Sequence, residues 1–577
     1  MINYYSDIKV INSNKKEVKI SIDDLNQGVN SLDNYFIKKN NQKIEWVVDR
    51  MCDHNFGKLI ISKTDKKIAK CPMHDWKLNL DSLKYTNVNV SKKKINFKIE
   101  NGNLIIDNYN KYLDFTNNEN NPEESSNDFK FRYLSHASVL LETNNFKMIT
   151  DPWYFGSAFC NGWWLRNPPK FDLKEVLSNL DFIYISHNHP DHLHIETLKK
   201  IDTNTKIICA NFKSKSTEKL LKRLGFKNVI TCEFNKVYQV EQKNIFFTLL
   251  KSGDFRDDSG IYIRINKRSI LLNVDSNNLN FGILPKNIDL LLSSYAGGAG
   301  GFPLCFDDYT DDEKIRIKKR NQSAQLAMVM RLIEISNPKY FMPYAGYFAE
   351  YAKRDDYIFK NNKKNDISLL DKLLKTKNNK TKIINYEKYD TLEFKDHIKE
   401  PLLKKSNISE DIYKHNDDLI SIYINDAKSR AKKANLENII SEYFTNSKFE
   451  DNLELLLIPV DDNFQSEKKG YLINFENKNI EIKSYTKKEY LEYFDMFNFE
   501  KKKILMIRAR EDALYSVLSN KLPFEDLLIG FQCRIKRKPN IYNSNFWNHF
   551  TNVYIDGDYI RYYNPCNSCE IALQQIF

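Results

Sequence analysis

The sequence predicts a multidomain α+β protein: a small all-β domain, then an α/β sandwich, then a largely helical C-terminal domain. Three observations carry this. The chain has 577 residues, more than one hydrophobic core supports at roughly 100–200 residues per domain. Residues 116–128 (TNNENNPEESSND) are polar, include Pro122 and have almost nothing to bury, so they read as a linker. Beyond them, short apolar runs at 147–150, 182–185, 270–274, 290–292 and 340–342 suit buried strands, and stretches of helical periodicity at 195–201, 217–224 and 322–335 lie between them. The domains fall at about 1–115, 127–385 and 386–577, the last beginning where the pattern turns more helical and more charged.

Composition excludes several classes. With 41% hydrophobic and 28% charged residues the chain is globular rather than disordered. Its 88 Lys and Arg against 76 Asp and Glu give +12, but the excess is dispersed and forms no basic stripe with aromatic partners, so nucleic acid is not the expected ligand. A basic surface instead favours an anionic substrate or an acidic electron-transfer partner, because long-range fields raise association rates. No run of 18 apolar residues occurs and residues 1–20 lack a signal-peptide pattern, which predicts a soluble cytoplasmic protein without membrane contact. Nine cysteines, an odd count at irregular spacing, do not form a disulfide framework. The pair Cys566 and Cys569 is read as structural.

In the first domain Cys52-Asp53-His54 is followed, after sixteen intervening residues, by Cys71-Pro72-Met73-His74. Each motif offers one thiolate and one imidazole, so two loops of a small β domain can close over one cluster. A Rieske 2Fe-2S centre needs this division, with two thiolates on one iron and two imidazoles on the other. Two Cys and two His also satisfy tetrahedral zinc, but zinc fingers keep like ligands together. Gly57 and Trp76 flank the loops as small and aromatic residues flank such clusters. The Rieske reading makes Cys52, His54, Cys71 and His74 the cluster ligands.

In the second domain the strand at 182–185 runs directly into Ser186-His187-Asn188-His189-Pro190-Asp191-His192. Four potential ligands in six residues are not a set of surface histidines. The spacing is similar to the signature of the metallo-β-lactamase superfamily and implies an αββα sandwich with metal at its strand ends. Asp151 follows another strand, where a carboxylate would buttress the ligand loop, and Asp275 follows the strand at 270–274, matching the superfamily's bridging carboxylate. His136 resembles a Gly-His-Ala turn of some branches, or is a packed histidine. No histidine lies between His194 and His397, so the full dizinc set of the hydrolases is absent. His187, His189 and a carboxylate from Asp254 or Asp275 would make a two-His-one-carboxylate set suited to non-haem Fe(II). A two-metal site using Asp191, His192 and Asp275 as well is the alternative, and Asp191, Asp254 and Asp275 are the candidate catalytic carboxylates.

Together these motifs resemble the CMP-N-acetylneuraminate monooxygenase (CMP-sialic acid hydroxylase) family over essentially the whole chain. The resemblance includes His74-Asp75-Trp76-Lys77-Leu78, Gly156-Ser157-Ala158-Phe159, Gly162-Trp163-Trp164-Leu165, the SHNHPDHL run, the Ala296–Pro303 glycine-rich stretch, Pro343-Tyr344-Ala345-Gly346-Tyr347-Phe348, Ile529-Gly530-Phe531-Gln532 and Phe546-Trp547-Asn548-His549-Phe550. It implies hydroxylation of an N-acetyl methyl to N-glycolyl, using O2 and electrons from NAD(P)H through a reductase and a small carrier protein. The chain departs from the family at Asp254, where members carry a histidine, which leaves metal identity and number open.

An unactivated methyl offers no acidic or electrophilic handle, so the oxidising chemistry belongs to the cofactor and the protein positions, insulates and delivers electrons. The loops after the strands, carrying Trp163, Trp164, Arg166, Gly298, Phe302 and Tyr344, are the candidates for the substrate pocket. Arg166 would pair with a carboxylate or phosphate and the glycines would admit close approach. Plain packing is the competing reading for both tryptophans. The glycine-rich stretch lacks the spacing of a dinucleotide fingerprint or P-loop. Competing functions are oxygenation of another nucleotide-sugar or small amide on the same scaffold, and zinc-dependent hydrolysis, in which a Rieske centre would have no task.

Overall fold

The computed structural model describes residues 8–10, 18–32, 35–50, 52, 59–71, 76–86, 91–106, 128–212, 214–240, 243–253, 256–265, 267–377, 379–395, 398–405, 416–466, 468–476 and 480–552. Of the expected site residues His54, His74 and Asp254 lie outside this set, as do Cys566 and Cys569.

The N-terminal domain is all-β. Gly28–Ser31, Tyr35–Asn40 and Lys43–Asp49 form one three-stranded antiparallel sheet, Ile60–Ile61, Ile68–Lys70 and Lys77–Asn79 a second, and Val18–Ser21, Asn103–Ile106 and Phe97–Glu100 a third. Backbone hydrogen bonds close the bases of both proposed cluster loops, Leu59 N–H to Arg50 O at 2.6 Å and Cys71 N–H to Trp76 O at 2.8 Å. Cys52 and Cys71 stand at those bases, buried in one apolar cluster with Phe36, Trp46, Trp76 and Tyr85.

The central domain stacks two eight-stranded sheets. In Phe182–Ile185, Phe182 and Tyr184 point into the core between the sheets, while Ile183 and Ile185 point into the layer formed with the helices Leu173–Leu177, Ile195–Leu198 and Ser216–Arg223. A strand buried on both faces reads as an unbroken apolar run, as this one does. The long helix Asp311–Ser336 and Ile367–Thr376 cover the other sheet through Val329, Ile333, Leu370 and Leu374. The arrangement is the expected αββα sandwich.

Its limits differ from those expected. Ile8–Val10 pairs with Tyr238–Val240 at the edge of one sheet, so the chain's first described strand belongs to the sandwich. The other sheet continues through Thr391–Phe394, paired with Phe129–Ser135, and Leu402–Lys404. A boundary at 385 would therefore cut between hydrogen-bonded strands of one sheet.

The C-terminal domain is mixed, with more helical than strand residues among those described. It is built on a five-stranded sheet, in the order Glu481–Tyr485, Gly470–Asn474, Leu453–Val460, Lys503–Arg510, Cys533–Lys538, with Leu453–Val460 parallel to Lys503–Arg510. Helices cover both faces, so Leu453, Leu455 and Leu457 pack to one side and Leu456, Ile458 and Val460 to the other. The inner strand Leu453–Val460 is almost uncharged, whereas the edge strand Cys533–Lys538 carries four basic residues, so the charge of this region lies on edge strands and helices. No helix among the described residues is long and apolar enough to cross a membrane.

Candidate metal centre

The parallel strands Phe146–Thr150 and Phe182–Ile185 end side by side, and so do Arg268–Leu272, Leu290–Ser294 and Tyr340–Tyr344 in the facing sheet. The loops leaving these ends carry Asp151, the His187–His192 run and Asp275, and Tyr344 closes its strand beside them. Several bend through left-handed backbone without glycine: His136 at φ 43°, Asp151 at 36°, Val274 at 55° and Ala345 at 55°. Such conformations cost about 1–3 kcal/mol each and cluster where function over-determines the backbone.

Asp151 organises the ligand loop. Its Oδ1 accepts the Ser186 backbone N–H at 2.8 Å, and its Oδ2 accepts the Ser186 hydroxyl at 2.7 Å and faces His192 Nδ1 at 3.0 Å. Nε2 of His192 is thereby turned inward, 3.3 Å from an oxygen of Asp191 and 3.3 Å from one of Asp275. No hydrogen bond joins Nε2 to either, and Asp191 Oδ1 and Asp275 Oδ1 are buried without hydrogen-bond partners. His187 Nε2 stands 2.9 Å from His189 Nδ1. Separations of about 3 Å match the edges of a coordination shell whose bonds are about 2.1 Å.

His187, His192 and Asp275 form one group of converging donors, and His136, Asp191 and His192 another. His136 contributes through Nε2, 2.9 Å from Asp191 Oδ2. Asp151, Asp191 and Asp258 are almost fully buried around these imidazoles, a concentration of carboxylates that needs compensating cations. The donor chemistry therefore fits one or two divalent ions.

The electrostatics match. Burial opposes charge on Asp191, but His192 and His136 hold its carboxyl well below the usual range. Burial likewise opposes protonation of His192, and Asp191, Asp275 and Asp151 outweigh it, lifting the imidazole well above its ordinary value. Burial, with His192 and His189, pushes His187 well below it, leaving a neutral ring ready to ligate.

The expected residues thus separate. His187, His192 and Asp275 converge, Asp191 joins His192 and His136 in a second group, and His189 stands against His187 at 2.9 Å. Tyr344 is buried at the base of the site, where burial and then Asp151, Tyr184 and Asp275 push its phenol far up. Trp163 and Trp164 are interior residues rather than pocket walls. Trp163 stacks on Phe348 with ring centroids 3.3 Å apart and donates its indole N–H to Ile529 O at 2.9 Å. Trp164 packs with Ala352, Ile420 and Ile424. Phe302 packs into the core shared with the C-terminal domain, beside Phe306 and Tyr309. The Gly298 carbonyl accepts the Asn362 side-chain N–H at 3.0 Å. Arg166 is exposed, over the ring of Tyr347.

One residue at the site had no signal in the sequence. Glu525, from the C-terminal domain, places Oε1 2.9 Å from His189 Nε2 across 336 residues of chain. Burial disfavours charge on His189, but its hydrogen bond to Glu525 and the charges of Glu525 and Asp191 raise its value overall.

Residues 130–256 match the β-lactamase superfamily domain. The chain is 31% identical over 562 residues to the cytidine monophosphate-N-acetylneuraminic acid hydroxylase of Pan troglodytes, covering 92% of each chain. It belongs to the cytidine monophosphate-N-acetylneuraminic acid hydroxylase family. The Mus musculus hydroxylase is 30% identical, with 87% of this chain and 88% of its own covered. As a member of that hydroxylase family the protein is an enzyme, an oxidoreductase. Among solved structures it is similar to CmlA, a diiron beta-hydroxylase from Streptomyces venezuelae, at 17% identity and a TM-score of 0.33, over 48% of this chain and 55% of that one. A metallo hydrolase from Ignicoccus hospitalis gives 14% identity and a TM-score of 0.31, over 46% and 99%.

Proposed function

We propose that this hydroxylase acts on CMP-N-acetylneuraminate, converting its N-acetyl methyl to the N-glycolyl form with O2. Electrons would come from NAD(P)H through a reductase and a small carrier protein, a Rieske 2Fe-2S cluster would supply the relay and iron in the sandwich the oxygen activation, and the cytoplasm is the expected location. The observation that carries the reading is the convergence of His187, His192 and Asp275, the mixed imidazole and carboxylate set that suits non-haem iron. The names of the relatives supply the substrate.

Cys52, His54, Cys71 and His74 would hold the cluster. Both cysteines already sit in one apolar cluster at the bases of closed loops, where low dielectric and restricted water access tune a redox centre. In the sandwich, His187, His189, Asp191, His192 and Asp275 would hold one or two ions, with Asp254 as the further carboxylate candidate. Bound iron supplies oxygen activation, which no side chain provides. The chain's own part is to orient the ligands and manage protons. Asp151 fixes His192 so that Nε2 faces inward, and His136 steadies Asp191. Asp275, partly open to solvent with its side chain 22% exposed, would pass protons at the metal edge, and exposed Arg166 would meet an anionic group of the substrate.

The test is iron, zinc and acid-labile sulfide on anaerobically purified protein, with EPR of the reduced form, then turnover of CMP-N-acetylneuraminate. Three or four irons per chain, a Rieske signal and N-glycolyl product support the proposal. Zinc without sulfide would replace it with a hydrolase, and a loaded enzyme indifferent to this substrate would move the activity to another nucleotide-sugar.

A further inference from the structure

We propose that Glu525 is a positioning residue of the metal centre, and that the C-terminal domain completes the centre by docking this carboxylate on His189. The inference rests on the metal-binding reading above.

The His189 ring is held between two partners. Nδ1 faces His187 Nε2 at 2.9 Å, on the side of the converging donors, and Nε2 faces Glu525 Oε1 at 2.9 Å on the other. With Nε2–H donating to the carboxylate, the lone pair of Nδ1 is left for an ion. A ligating histidine that gives its other N–H to a carboxylate has its tautomer and orientation fixed and its basicity raised. Phe159 packs edge-on against the same ring, with centroids 5.8 Å apart.

The docking of this carboxylate is built into the fold. Glu525 opens the turn into Asp526–Ile529, and its carbonyl accepts the N–H groups of Leu528 at 2.8 Å and Ile529 at 2.9 Å. That turn lies on the antiparallel pair Ser157–Ala158 and Trp163–Leu165 of the sandwich. A Cβ on Gly162 would collide with the Gly530 carbonyl, and one on Gly530 with the Phe159 carbonyl, so the two backbones approach through paired glycines. The Trp163 indole N–H bonds the Ile529 carbonyl beside them. A glutamate on an ordinary surface turn would face water; here the Glu525 side chain is only 25% exposed.

The test titrates metal-stripped, oxidised, full-length protein with Mn(II), following the EPR signal of the free ion, for wild type, Glu525→Gln, Glu525→Asp and Glu525→Ala, with thermal unfolding of each. The expected result is a loss of affinity of about 10–100-fold for the Gln and Ala variants, part of it recovered by Asp, with the unfolding of the metal-stripped forms unchanged. Gly530→Ala, which displaces the turn but keeps the carboxylate, should weaken binding in the same direction. Wild-type affinity in Glu525→Gln overturns the inference, as does a loss that tracks lowered thermal stability and is not relieved by Asp. Wild type that binds no Mn(II) or Fe(II) overturns the metal reading itself.

Discussion

Asp151 accepts both the backbone N–H and the hydroxyl of Ser186, at 2.8 and 2.7 Å, and so ties together the ends of two parallel strands just before the ligand loop begins. The same carboxylate faces His192 Nδ1. Asp151→Asn keeps the shape but offers an amide N–H where an acceptor is needed. It should weaken metal binding by about 10–100-fold, read by anaerobic equilibrium dialysis with Fe(II). Asp151→Ala, which also strands the buried Ser186 donors, should lower stability by about 1–3 kcal/mol in denaturant unfolding. Unchanged metal affinity in both variants would show that Asp151 does not orient His192.

Cys52 and Cys71 occupy a single apolar cluster. Cys52→Ser and Cys71→Ser should each abolish acid-labile sulfide and the Rieske EPR signal, while metal in the sandwich is retained, because the two centres use separate residues. Concerted loss of both metals would contradict that separation.

The sandwich and the C-terminal domain share a buried ion network. Arg510 pairs with Asp355, Arg354 bonds Asp512 at 2.9 Å, and Arg510 also donates to the Arg354 carbonyl at 2.6 Å. The side chains of Arg510 and Asp355 are each 1% exposed, so removing one partner leaves an uncompensated buried charge. Asp355→Ala should cost about 3–5 kcal/mol by denaturant unfolding, and combining it with Arg510→Met should recover part of that loss. Additive losses would mean the pair is not coupled.

His549 should make the protein acid-sensitive. Burial pushes its imidazole down to about 4, against a hydrogen bond from its ring to the Ser447 carbonyl at 2.9 Å. A histidine whose folded value is depressed is neutral in the fold and takes up its proton more readily when unfolded. Its contribution is therefore intact above the unfolded value near 6.5 and is lost as pH falls from there to about 4, by about 3 kcal/mol. His549→Gln should flatten the melting temperature over that interval relative to wild type. A variant profile parallel to wild type would refute the assignment.

Much of this was legible in the sequence because its causes are local. Four ligand-type residues within six positions, at the end of an apolar run, must lie at a strand end whatever the rest of the chain does, and alternation in 182–185 follows from the two-residue period of a strand. The C-terminal sheet was not legible, since strands such as Leu453–Val460, covered on both faces, have no polar alternation to separate them from helix cores. The tryptophans show the same limit: a Trp-Trp pair on a loop looks alike in a pocket and in a core, and only the partners Phe348, Ile529 and Ile420 distinguish them.

The sequence alone determined the ligand types, their spacing and the family. The tertiary structure decided the convergence. It brought Asp151, Asp191, His192 and Asp275 to one point by running strands from two sheets in parallel, extended the sandwich past residue 385 by strand pairing, and set Glu525 against His189 across 336 residues. Spacing along a chain fixes only what backbone geometry spans directly; contacts between distant segments depend on how whole domains pack, and no local pattern records them.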